Sequence, residues 1–323
     1  MNSRRDFLIS ATVAATGLGL APLAMAGTAA TAPAAAAKAA SSNAAGVTGP
    51  LITRVIPASG ERIPVIGMGT SGSFEVGLSP QELDPLREVL RRFVASGATV
   101  IDTAPTYSSA EDVLGALLAE TPARGKLFLA TKLSGVVGRT AGLAQFDASL
   151  RRMRADKVDL LQVHNLRDTD TQLAVARELK EQGKVRYVGL THYVESAQPE
   201  LAAALRRLKP DFVQINYSPV SRLAEQAIFP IARDLGIAVM INRAFEDGRL
   251  FAQVRDKPLP PWAAQVGAAS WAQLFLKFVL SHPAVTVVIP ATSKPKNMTD
   301  NLQAGVGALL DSRQRADLVA LLG

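Results

Sequence analysis

From residue 64 onward, short apolar runs rich in β-branched residues alternate with longer amphipathic ones, and no other feature of the chain narrows its fold as much. The strand candidates are residues 65–68, 100–102, 127–132, 160–164, 187–191, 212–216, 237–241 and 285–289. Helical periodicity fills the intervals at 81–96, 110–119, 143–153, 171–181, 197–208, 223–235 and 270–280, with further helices predicted at 299–304 and 312–322. Strands that alternate with helices build a parallel sheet. Near-continuous apolar strands such as Ala238-Val239-Met240-Ile241 are buried on both faces. With eight β/α units, closure into a (β/α)8 TIM barrel is favoured over an open sheet. Residues 51–64, with Ser59-Gly60-Glu61 midway, read as a β-hairpin before the first barrel strand.

One motif points elsewhere and fails on context. Gly67-Met68-Gly69-Thr70-Ser71-Gly72 has the Gly-x-Gly-x-x-Gly spacing of a dinucleotide-binding turn, which needs a helix opening at the third glycine. Residues 73–80 read instead as a loop, so the glycines do not mark a Rossmann unit.

The N-terminus is predicted to be an address. Ser3-Arg4-Arg5-Asp6-Phe7-Leu8 precedes an uncharged run over 9–23 and the small-residue end Ala24-Met25-Ala26. The paired arginines resemble a twin-arginine (Tat) export signal, which implies the Tat machinery as a partner, cleavage after Ala26 and a periplasmic destination. Gly17, Gly19 and Pro22 make the run a poor membrane span, so no stable anchor is expected after cleavage. Residues 27–49, mostly Ala, Thr and Ser with Pro33 and Lys38, are predicted to be a disordered linker. The barrel domain is then 50–323, about 270 residues, near the usual size for this architecture.

Composition removes whole classes of chemistry. With no cysteine there are no disulfides, thiolate metal sites or cysteine nucleophiles, and three histidines argue against a His-rich zinc site. The net charge of +7 is spread along the chain without a basic block. That suits a small anionic ligand better than nucleic acid.

In a β/α barrel, polar residues at the C-terminal strand ends converge on one mouth. Asp102, Lys132 and His164 end the second, third and fourth strand candidates, and Tyr107 follows Asp102 closely. Each alone has an ordinary explanation: a turn cap, a solvated lysine, a core imidazole, a packed loop tyrosine. Four titratable types at one rim are a chemical constellation.

These residues sit in motifs that resemble the aldo-keto reductase superfamily. Ile101-Asp102-Thr103-Ala104-Pro105-Thr106-Tyr107, with Glu111 beyond it, is similar to the second-strand signature, although Ser108 stands where a glycine is usual. Asp159-Leu160-Leu161-Gln162-Val163-His164 and Gly183-Lys184-Val185-Arg186-Tyr187-Val188-Gly189 resemble two later signatures, and the resemblance runs from about residue 62 to 304. It implies reduction of a small aldehyde or ketone by hydride from NADPH, with NADH as a possible second cofactor. Tyr107 would be the general acid, Lys132 the ammonium that lowers its pKa, Asp102 the counter-ion of Lys132, and His164 the hydrogen-bond donor to the substrate oxygen. That chemistry requires no metal.

The resemblance also assigns cofactor positions. Gly69 and Thr70 follow the first strand, Thr191-His192 replaces a Ser-Asn pair that holds the nicotinamide carboxamide, and Gln214 matches its glutamine partner. Arg243 stands near the place of a tyrosine that stacks on the nicotinamide; a planar guanidinium can stack too. Thr292, Ser293 and Lys294 match the loop for the adenosine 2′-phosphate, Asn297 replaces a common arginine there, and Asp300-Asn301 match an adenine-contacting pair. Two other readings of the barrel are a lyase that uses Lys132 as a Schiff-base nucleophile and a non-catalytic protein that binds a nicotinamide nucleotide or a partner. The loops 71–77 and 248–267, the latter with Trp262, are where substrate specificity is expected.

Overall fold

The computed structural model describes residues 45–323. The predicted export signal and most of the predicted linker lie outside the described residues. Ten strands and ten α-helices follow in chain order among them: β1 (Thr53–Val55), β2 (Arg62–Pro64), β3 (Met68–Gly69), α1 (Pro80–Ala95), β4 (Val100–Asp102), α2 (Ala110–Ala119), β5 (Phe128–Ser134), α3 (Arg139–Met153), β6 (Val158–His164), α4 (Thr169–Glu181), β7 (Val185–Thr191), α5 (Gln198–Leu208), β8 (Phe212–Asn216), α6 (Ile228–Leu235), β9 (Ala238–Asn242), α7 (Arg249–Gln253), α8 (Trp271–Leu280), β10 (Val285–Val288), α9 (Pro295–Gln303) and α10 (Ser312–Leu322). Strands β3 to β10 form one parallel sheet in sequence order, and single bridges from Ile66 to Val288 and from Gly69 to Ala291 bring its two edges together. The architecture is the eight-stranded β/α barrel.

Close approach of neighbouring backbone explains two of the three glycines that mimicked a dinucleotide motif. A Cβ on Gly69 would sit 2.9 Å from the Ile289 carbonyl oxygen, and one on Gly67 2.9 Å from that of Val100. The glycines let the first strand approach its neighbours. The helix that follows, α1, opens only at Pro80, as the loop reading required.

The period-two alternation of a strand sorts side chains into the barrel lumen or toward the helices. Val100, Phe128, Leu160, Tyr187, Phe212, Ala238 and Val287 form the lower lumen together with Ile56 and Ile63 of the hairpin. Phe128, Tyr187 and Phe212 meet there with ring centroids 5.5–5.9 Å apart. The hairpin β1–β2 closes this end. The Tyr187 hydroxyl lies 2.7 Å from both Ser59 Oγ and Glu61 Oε2, and Arg54 donates to the His282 carbonyl at 3.0 Å. The outward-facing strand residues pack with the helices in a second, larger core.

Several element ends differ from the sequence expectation, among them α3, which begins at Arg139 rather than 143, and α6, which begins at Ile228 rather than 223; three further differences concern the domain edge, β5 and the segment 248–267. The predicted linker ends too late, because Ala45 and Val47 are already buried against the domain. Thr299 Oγ1 of α9 donates to the Ala45 carbonyl at 3.0 Å, and Thr48 exchanges two hydrogen bonds with the Gln303 side chain. Val47 is one large apolar residue among small ones, too little to register as periodicity. Strand β5 continues two residues past Lys132 to Ser134, so the lysine lies inside the strand. The segment predicted as a loop at 248–267 contains helix α7 and a 3-10 helix over Pro261–Val266, both too short for a periodic signal. Among the described residues, no helix is long and apolar enough to cross a membrane.

Candidate active site

Two positions beyond the apolar layer, the same strand parity brings polar residues into the lumen. Asp102 of β4 follows Val100, Gln162 of β6 follows Leu160, and Gln214 of β8 follows Phe212, while Lys132 of β5 is four beyond Phe128. Lys132 is fully buried and donates to Asp102 Oδ2 and to the Thr103 carbonyl, each at 2.7 Å. Asp102 Oδ1 accepts from Gln162 Nε2 at 3.1 Å and from Gln214 Nε2 at 3.0 Å. Gly189 makes room for this arrangement, since a Cβ there would lie 3.0 Å from Gln162 Cγ. A buried carboxylate with three donors and a buried ammonium with two acceptors satisfy the condition for keeping charge out of water.

The titration behaviour follows. Burial works against the charge on Lys132, but Asp102 and Tyr107 beside it hold its pKa above the ordinary lysine value. This ammonium is a poor Schiff-base nucleophile, which counts against the lyase reading. Lys132 Nζ lies 5.1 Å from the Tyr107 ring centroid. Lys132 acts on the tyrosine in the expected direction, lowering its pKa, but burial outweighs it. Burial raises the phenol most, Lys132 pulls it down, and Asp102 pushes it up again, so the net direction is upward. The phenol therefore stays protonated at neutral pH. Ser108, next in the chain, has φ 44°, the left-handed conformation that explains why glycine suits that position.

His164 ends β6 with its ring edge-on to Tyr107, centroids 6.0 Å apart, and its Nδ1 lies 2.6 Å from Ser134 Oγ. Burial, then the nearby charge of Lys132, lowers its pKa to about 3, so the imidazole is neutral. Glu111 is elsewhere: buried behind β5, it accepts from Thr131 Oγ1 at 2.7 Å and from Arg152, tying α2 to the barrel wall.

Asp102, Tyr107 and His164 line a cavity of about 800 Å3 at the C-terminal mouth. Of the predicted cofactor residues, Gly69, Thr70, Thr191, Gln214, Arg243, Thr292, Ser293, Lys294 and Asn297 share its wall, and Asn301 lines an adjoining cavity with Asn297 and Thr292. His192 is not on either wall. Its Nδ1 accepts from the backbone N–H groups of Tyr193 and Val194 at 3.0 and 3.2 Å, which turns the ring onto its own loop. Asn242, which the sequence reading missed, takes a place beside Gln214, with Nδ2 3.3 Å from Gln214 Oε1 and a buried Oδ1 that has no partner. Its signal was available: it continues the lumen-facing series Ala238, Met240 at the end of β9. Arg243 pairs with Asp247, and its guanidinium lies 5.3 Å from the Tyr193 ring centroid. Phe245 and Phe251 complete the outer wall, whereas Trp262 packs partly buried against the core. Among the described residues, no group of three or more His, Cys, Asp or Glu could hold a metal ion.

Comparison with known proteins gives the same picture. "Probable aldo-keto reductase 1" of Glycine max is 29% identical over 80% of this chain and 87% of its own. L-glyceraldehyde 3-phosphate reductase of Escherichia coli is 26% identical over 79% of this chain and 88% of its own. A crystal structure of an aldo/keto reductase from Klebsiella pneumoniae in complex with NADP and acetate superposes with a TM-score of 0.69 at 26% identity, covering 83% of this chain and 94% of that one. The aldo/keto reductase family model matches residues 65–322, which span every barrel strand and all four residues of the predicted reaction centre, and the chain therefore belongs to the aldo/keto reductase family, a family of NAD(P)H-dependent oxidoreductases.

Proposed function

We propose that the protein is an NADPH-dependent carbonyl reductase that converts an aldehyde or ketone into the alcohol, with Tyr107 as the general acid. The observation that carries this reading is the buried Lys132–Asp102 pair lying under a protonated Tyr107, with neutral His164 beside it, at the floor of one cavity. The residues fit a nicotinamide nucleotide on two counts. The orphaned Asn242 Oδ1, next to Gln214, is an acceptor in want of an amide donor. At the other end of the cavity wall, α9 begins without a side-chain cap, leaving N–H groups of its first turn available to an anion. Thr191, Gln214 and Asn242 would hold the carboxamide, Arg243 would cover the ring, and Thr292, Ser293 and Lys294 would meet the 2′-phosphate, with Gly69 and Thr70 at the base and Asn297 and Asn301 toward the adenine. When bound, the cofactor supplies hydride to the carbonyl carbon.

The chain's own residues manage the oxygen. Tyr107 O–H and a ring N–H of His164 orient the carbonyl, and Tyr107 gives its proton as negative charge develops there. Lys132 stabilises the phenolate left behind, and Asp102, held by two glutamine amides, keeps Lys132 charged. Tyr107→Phe should lower turnover by about 10² or more while leaving NADPH affinity nearly unchanged, as read by cofactor oxidation over a panel of aldehydes and ketones and by fluorescence titration. Turnover near wild type would remove Tyr107 from the mechanism.

We further propose export to the periplasm by the Tat route, supported by Arg4-Arg5 and the small-residue end at Ala26. Replacing both arginines by lysine keeps the charge and should leave uncleaved precursor in the cytoplasm. A mature form still found outside would refute the route.

A further inference from the structure

We propose that Ser134 sets the tautomer of His164: its hydroxyl donates to Nδ1, so the imidazole carries its proton on Nε2 and presents an N–H donor to the cavity. The consequence for catalysis rests on the carbonyl-reductase reading above; the tautomer itself does not. Ser134 ends β5 and His164 ends β6, and the parallel register pairs them directly. Their Oγ and Nδ1 are 2.6 Å apart in a pocket where Ser134 is 4% exposed. The Ser134 backbone is clamped by one side chain, its N–H donating to Gln145 Oε1 at 2.7 Å and its carbonyl accepting from Gln145 Nε2 at 2.9 Å. The hydroxyl has no partner other than His164 among the described residues.

Two proton arrangements could join these atoms. If Nδ1–H donated to Oγ, the serine hydroxyl proton would be left buried without an acceptor, which is the expensive way to fail a hydrogen bond. If Oγ–H donates to Nδ1, every proton in the pair is used, and the ring proton must be on Nε2. Because burial and Lys132 keep His164 neutral, only one ring nitrogen carries a proton, so this choice decides what the ring offers. An Nε2–H stabilises charge growing on a carbonyl oxygen; the opposite tautomer would set a lone pair against it. Ser134 is thus a positioning residue that acts through His164.

The chain has only three histidines, His164, His192 and His282, so 15N-labelled imidazole gives a readable long-range 1H–15N spectrum of the free protein, assigned with His164→Asn. The wild type should show His164 protonated on Nε2. Ser134→Ala should show loss of the single tautomer and a kcat lower by about tenfold to hundredfold with a smaller change in KM, the scale of losing an outer partner of a functional imidazole. Ser134→Thr, which keeps the hydroxyl, should retain the wild-type tautomer. A wild-type His164 protonated on Nδ1 overturns the proposal even if no variant folds, and so does an unchanged tautomer in Ser134→Ala whatever its turnover. If Tyr107→Phe remains active instead, the reductase reading fails while the tautomer result stands on its own.

Discussion

The floor of the barrel mouth and its rim are built on opposite principles. At the floor, Asp102, Lys132, Gln162 and Gln214 come from four strands, are buried, and hold one another through hydrogen bonds of 2.7–3.1 Å. Strand register places each of them, so no one loop can displace the set. At the rim, Arg243, Glu246 and Asp247 adopt positive φ of 51–54° within five residues, and Lys294 is exposed beside the start of α9. Left-handed conformations at non-glycine residues cost on the order of 1–3 kcal/mol each and persist only where neighbouring contacts hold them. The contrast teaches that this chain holds its buried polar network on strands and its exposed charged groups at the mouth on loops. Of the positions where this chain departs from the family pattern, Ser108, His192, Arg243 and Asn297 belong to loops beyond strand ends or to the first turn of α9, whereas Thr191 ends β7.

The comparison can be broken most severely at the floor. Lys132→Met leaves Asp102 buried without its cation and should cost about 3–5 kcal/mol of stability as well as turnover, measured by denaturant unfolding. A variant as stable as wild type would mean that the two glutamine amides suffice for Asp102.

A rim substitution should behave differently in kind. Lys294→Ala should leave unfolding unchanged, weaken NADPH by about tenfold to hundredfold, the worth of a charge-assisted hydrogen bond, and barely alter NADH. Equal weakening of both cofactors, or of neither, would eliminate Lys294 as the phosphate anchor and blur the distinction between a structural floor and a recognising rim.

His164 lies between the two regions and tests the boundary through pH. Its folded pKa is lowered from 6.5 to about 3, so between those values the unfolded chain binds a proton that the folded one refuses. Acid therefore favours unfolding: this contribution is full above about pH 6.5 and is lost as pH falls toward 3. Allowing for water at the mouth, it amounts to about 1 kcal/mol between pH 7 and 5. Thermal unfolding of His164→Asn should show a smaller loss over that interval than wild type. An equal loss would place the ring on the solvated, rim side.

How much of this was legible before the fold was known depended on the range of the signal. The helices α2 and α10 and the strand β8 were read to their ends because local periodicity is sufficient for a regular element. Asp102, Tyr107, Lys132 and His164 were read together because polar residues at successive strand ends must share one mouth. Val47 and α7 escaped because one buried valine and five helical residues leave no period. The pull of Lys132 on Tyr107 is legible in the sequence, whereas the burial that outweighs it and turns the net shift upward is not.

The sequence by itself determined the number and order of the β/α units, the apolar character of their strands and the polar residues at the C-terminal strand ends. Each of these follows from hydrophobic periodicity within a few residues of chain. Only the tertiary structure decided which polar groups satisfy which. Ser134 meets His164 across 30 residues, Gln214 reaches Asp102 across 112, and His192 turns from the cavity while Asn242 enters it. Such pairings depend on interstrand register and on which buried donor finds an acceptor, and a hydrogen bond is specific to within tenths of an ångström while hydrophobic patterning is not.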